Sequence, residues 1–151
     1  MENTKIVEEL FQSIEKNDFT RAESLLSKDF KITGIGPEGL GAKEFLGVHK
    51  AFNKGMPDFK FNYKIGSESQ NIVEAKVKLT GTHTKEMPGP IPGIHTIPAT
   101  NKSLRMPEEK VKVTLKDGKI VNLYVENVPG GGVPGILKQL GVEIPTEVRS
   151  H

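Results

Sequence analysis

The sequence predicts an α+β fold in which helices cover one face of an antiparallel sheet. Three observations carry that prediction. Apolar residues recur at helical spacing near the N-terminus, alternate with polar ones from Phe59 onward, and return to helical spacing near Ile136. Helices first, then strands, then one short helix is the order expected when helices pack on one sheet face.

The elements follow in chain order. Ile6, Val7, Leu10, Phe11 and Ile14 form an apolar stripe with Glu and Lys between them, which predicts a first helix. "TRAE" at 20–23 reads as a capping box that starts a short second helix carrying Ala22, Leu25 and Leu26. The Gly-rich run "GIGPEGLG" is a turn, and Phe45, His49, Phe52 and Met56 then share one side of a third helix. "GMPD" ends it, since proline disfavours a helical residue before it.

From Phe59 the period is two. Phe59, Phe61, Tyr63 and Ile65 alternate with Lys60, Asn62 and Lys64 in a first strand. After "GSESQN", the residues Val73, Ala75, Val77, Leu79, Gly81 and His83 share one face of a second. Val111, Val113 and Leu115 mark a third, and Val121, Leu123 and Val125 a fourth, joined through the Asp-Gly hairpin signal in "KDGK". Alternation of this kind fits antiparallel strands covered on one side. "PGGGVPGILKQLG" closes the pattern: Pro134 suits a first helical turn, Ile136, Leu137 and Leu140 are its apolar side, and Gly141 stops it. The stretch 87–107 holds five prolines and reads as a long loop, a length that suits a lid or binding loop.

Composition narrows the functional classes. A chain of 151 residues suits a single domain, 1–151, and with no cysteine it has neither disulfides nor a thiol nucleophile. Charged residues interrupt every apolar stretch well before membrane-spanning length, and the N-terminus lacks the pattern of a secretion signal, so a cytoplasmic protein off the membrane is expected. The net charge of +2 comes from lysines spread along the chain without a nucleic-acid-binding motif, so no nucleic-acid partner is expected. The histidines His49, His83, His95 and His151 have no tight spacing, which argues against a metal site. "VPGGGVPG" lacks the lysine and spacing of a phosphate loop, and its glycines are explained by a sharp strand-to-helix reversal. No cofactor is expected.

Five stretches in order, "MPDFKF", "LTGTHT", "IPATNK", "DGKIV" and "LKQLGV", resemble the SnoaL-like polyketide cyclases (ester cyclases) of the nuclear transport factor 2-like superfamily. The resemblance implies a curved sheet wrapped by helices into a cone, an apolar cavity for a hydrophobic, oxygenated small molecule, and a homodimer across the outer sheet face. It also implies a cofactor-independent cyclase or isomerase, although this superfamily includes binders and transport factors as well. Active relatives resemble "DGKIVEHW" followed by an acid/base aspartate. This chain instead has Asn122, Leu123 and Tyr124, and no aspartate through Gly132. Glu126 falls on the polar face by parity.

His83 is the candidate acid/base group, because it continues the inward parity of its strand and an imidazole exchanges protons near neutral pH. Asn127, Tyr63 and His49 are candidate ligand-binding residues: Asn127 continues the inward parity of its strand near the expected acid, Tyr63 points inward, and His49 lies on the apolar side of its helix. Asp58 reads as a turn residue, and His95 as solvated in the proline-rich loop. A non-catalytic binding protein using the same cavity, and an interaction module using the outer sheet face, are the alternatives. The lysines Lys60, Lys64, Lys76, Lys78 and Lys112 make that face poor for a dry interface.

Overall fold

The computed structural model describes residues 2–34, 39–91, 93–126 and 128–142. Helix α1 (Asn3–Glu15) buries Ile6, Val7, Leu10, Phe11 and Ile14, the stripe its sequence lays down. Helix α2 (Phe19–Ser24) is shorter than expected, and its cap is Asp18 rather than Thr20. The Asp18 carboxylate accepts from the Arg21 amide at 3.1 Å, so the capping box is not used.

Leu25 is the last cap of α2, and Leu26 opens a strand that the sequence reading missed, β1 (Leu26–Thr33). Its register slips between Leu26 and Lys31, which breaks the alternation that would have announced it. A two-residue strand, β2 (Leu40–Gly41), leads into helix α3 (Ala42–Gly55). Then come β3 (Lys64–Ser69), β4 (Ile72–Val77), β5 (Thr80–Thr82), β6 (Ser103–Arg105), β7 (Glu109–Lys116), β8 (Lys119–Val125) and helix α4 (Gly132–Gln139).

Among the described residues the strands form a six-stranded sheet in the order β2-β1-β8-β7-β4-β3 and a two-stranded sheet β5-β6. Pairing is antiparallel except between β1 and β8, which run parallel with Ile32 opposite Leu123. The inner face of the large sheet buries Val73, Ala75, Val111, Val113 and Leu123 against α1 and α3. On the outer face Lys64, Lys76 and Lys110 lie side by side across β3, β4 and β7. Like charges in direct register repel, so this face is a solvated one.

Three further expectations need correction. The first predicted strand pairs in the sheet only from Lys64, because Asn62 takes a left-handed conformation (φ 49°) that interrupts the ladder after Phe61. The second splits after Val77: β4 stays in the large sheet, while β5 departs to pair with β6. The stretch 87–107 is not structureless, since it contains β6 and a bridge between Met87 and Ile97. No helix among the described residues is long and apolar enough to cross a membrane.

Helix α4 begins where the sequence places it and buries Ile136 and Leu137. Gly135 is required there by close approach: a Cβ would lie 2.0 Å from the Gly130 carbonyl oxygen and 3.1 Å from Cε of Met106. Backbone cannot yield as a side chain does. Gly135→Ala should therefore cost about 1–3 kcal/mol in urea unfolding, despite the helix preference of alanine. An unchanged or raised stability would mean that the Gly130 turn moves freely.

Candidate functional site

The core opens into an apolar cavity of about 110 Å³ between the large sheet and three helices. The sheet supplies Ile32, Val77, Glu109, Val111, Leu123 and Val125. Phe11 comes from α1, Phe45, Val48, His49 and Phe52 from α3, and Val133 and Ile136 from α4. Two of these side chains are ionisable, His49 and Glu109.

His49 is placed by helical spacing. Phe45, His49 and Phe52 stand four and three residues apart, so they share one face of α3. The imidazole is buried in an aromatic box, with ring centroids of Phe45 at 5.0 Å, Phe61 at 5.2 Å, and Phe52 and Phe59 each at 5.7 Å. Such surroundings stabilise the uncharged ring, and burial lowers its pKa to about 4. Its Nδ1 has no hydrogen-bond partner among the described residues. A buried polar atom without a partner is uncommon and ordinarily has a reason.

Glu109 opens β7 on the inward face, opposite Val77 in the ladder and two residues before Val111. It is 5% exposed, and no cation pairs with it among the described residues. Burial raises its carboxyl pKa, while the nearby backbone amide of Gly132, at the start of α4, pulls the other way. The site therefore presents a carboxyl whose pKa is raised and an imidazole held uncharged, both lining one apolar cavity. That combination can hold an oxygen-bearing ligand and move a proton.

Glu109 escaped the sequence reading although its signal was present. Stepping back by two from Leu115, Val113 and Val111 lands on Glu109, the same inward parity that singled out His83.

His83 itself is fully buried, as its parity predicts, but it is not among the cavity-lining residues. The departure of β5 from the large sheet explains this: Val77 and Leu79 still line the cavity, whereas the chain beyond them turns away to pair with β6. His83 Nδ1 lies 2.9 Å from Thr100 Oγ1, its amide donates to the Lys102 carbonyl, and its own carbonyl accepts from Asn101. Burial lowers its pKa, and the carbonyls of Lys85 and Ile97 oppose that shift.

Tyr63 is half-buried, stacks on Phe11 at 5.2 Å, and its hydroxyl accepts from Gln12 Nε2 at 2.8 Å; it too is absent from the cavity wall. Asn127 lies outside the described residues. Asp58 serves as the tie its context suggests, accepting from the Thr82 amide at 2.7 Å and the Thr82 hydroxyl at 2.9 Å. His95 is exposed. Of the predicted site residues, the structure thus puts His49 at the cavity, whose lining also includes Glu109.

A helix-covered, curved sheet around an apolar cavity defines a nuclear-transport-factor-2-like domain. The chain belongs to the SnoaL-like polyketide cyclase family, whose pattern it matches over residues 4–124. Solved structures agree on the fold. IdmH of Streptomyces antibioticus, a candidate polyketide cyclase, is 20% identical with a TM-score of 0.65, over 94% of this chain and 100% of that one. A candidate polyketide cyclase from Pseudomonas putida KT2440 is 14% identical with a TM-score of 0.67, over 92% and 98%. AclR of Streptomyces galilaeus, a candidate hydroxylase, is 16% identical with a TM-score of 0.67, over 97% and 87%. No curated protein matches the sequence.

Proposed function

We propose that this chain binds a hydrophobic, oxygen-bearing small molecule in the cavity and catalyses cofactor-independent proton transfer on it, as a cyclase or isomerase does. The observation that carries this reading is that Glu109 from the sheet and His49 from α3 are the two ionisable side chains lining one apolar cavity. In the reaction, the Glu109 carboxylate takes a proton from carbon next to a carbonyl. The imidazole of His49 hydrogen-bonds the oxygen where negative charge gathers, and the Glu109 carboxyl returns the proton to the new position. His83 has no direct part; it fastens the segment from Thr100 to Lys102 to the end of β5.

A second reading, binding without catalysis, draws on the same imidazole. With a pKa of about 4, His49 is a weak base, better suited to holding an oxygen than to removing a proton.

Phenylacetone, which has an activated CH₂ beside its carbonyl, separates the two. In D₂O, loss of its CH₂ proton signal should be faster with the protein than in buffer alone, and the gain should vanish in Glu109→Gln. Saturation transfer to phenylacetone without faster exchange would leave binding alone. Neither transfer nor exchange would remove the cavity from consideration as a ligand site.

A further inference from the structure

Resting on the cavity as a ligand site, the next question is what it accepts. We infer that the ligand is uncharged and that its buried part is a single ring carrying a hydroxyl or carbonyl oxygen.

Size gives the first argument. Pockets for drug-sized ligands run to about 300–1,000 Å³, whereas a dry cavity of about 150 Å³ takes up benzene. At about 110 Å³ this cavity is on the scale of one ring, well short of a fused polycycle. The α4 wall that limits it is fastened at its far end. The Gln139 side chain accepts from the Arg105 amide and donates to the Arg105 carbonyl, both at 2.9 Å, as a strand neighbour would.

Shape and charge give the second. Phe11, Phe45, Phe52 and Phe61 present ring surface to the cavity, which favours a flat ligand. Among the described residues no lysine or arginine lines it, so an anion would meet the Glu109 carboxyl without a counter-ion. An ammonium would have to shed its water in a lining that offers it Glu109 and otherwise almost wholly apolar side chains. His49 supplies the polar demand: its neutral imidazole lines the cavity and can exchange one hydrogen bond with a single hydroxyl or carbonyl oxygen.

A ligand series on the intact chain tests this by titration calorimetry. 4-Hydroxyacetophenone, 2-acetyl-1-naphthol and 1-hydroxyanthraquinone carry a hydroxyl and one or two ketone carbonyls on one, two and three rings. 4-Hydroxybenzoate and 4-hydroxybenzylamine are the anionic and cationic counterparts of the first. The one-ring neutral compound should bind at least tenfold more tightly than the three-ring compound and than either ion. Its advantage over toluene should disappear in His49→Leu, with folding checked by circular dichroism.

Tighter binding of the anthraquinone, the benzoate or the benzylamine would overturn the inference while leaving the cavity a ligand site. An advantage over toluene that persists in a folded His49→Leu would remove the hydrogen bond to His49 from it. If no compound of any size or charge binds, the cavity reading falls with it.

Discussion

Glu109→Gln should lower the exchange of phenylacetone protons by roughly 100- to 10,000-fold, the range over which a positioned acid/base group acts. Glutamine keeps the shape of the side chain and leaves an amide oxygen available to the nearby Gly132 backbone, so the loss would report proton transfer rather than collapse of the wall. Stability should move the other way. A carboxyl whose folded pKa is raised binds its proton more tightly in the native state. Its contribution is fully favourable below the unfolded value of 4.5 and declines as pH rises through the folded value. The variant cannot titrate there, so near neutral pH it should unfold at the same or a higher urea concentration than wild type. An active Glu109→Gln would move the base elsewhere on the wall. A variant that is inactive and also strongly destabilised would make Glu109 a tether for α4.

The two sides of this site were unequally visible in the sequence. His49 was readable because helical spacing ties it to Phe45 and Phe52, and a helix keeps its faces regardless of what the sheet does. Glu109 was readable by parity alone, yet its neighbours in "PEEK" resemble a solvated turn, and nothing local says that Val77 will stand opposite it. That both line one cavity depends on β7, α3 and α4 meeting, a tertiary fact. His83 shows the converse. Parity correctly predicted that it would be buried, but parity assumes one continuous strand, and the break after Val77 took the residue away from the cavity. The parallel β1 was hidden for a local reason, the slip between Leu26 and Lys31, and with it the parallel pairing in the sheet.

His49 should make the protein sensitive to acid in a defined window. Its pKa is 6.5 when exposed and about 4 in the folded chain, so between those values the unfolded state takes up a proton that the native state refuses. Stability attributable to this group is complete above pH 6.5 and is lost as pH falls towards 4, by about 3 kcal/mol in all. Glu109 acts in the opposite sense over part of the same range, so wild type alone would blur the effect. The comparison of wild type with His49→Leu isolates it: the stability difference from urea unfolding should grow in favour of leucine as pH drops from 7 to 4.5. At pH 7 leucine should already match or exceed histidine, because it removes a buried nitrogen that lacks a partner and whose burial costs about 1–3 kcal/mol. A difference that stays constant with pH would mean that the imidazole is reached by water and titrates normally. Leucine would satisfy this aromatic box better than histidine does, on packing and on polar satisfaction alike. A position where local rules favour another residue is where a functional demand is expected, and here that residue lines the cavity.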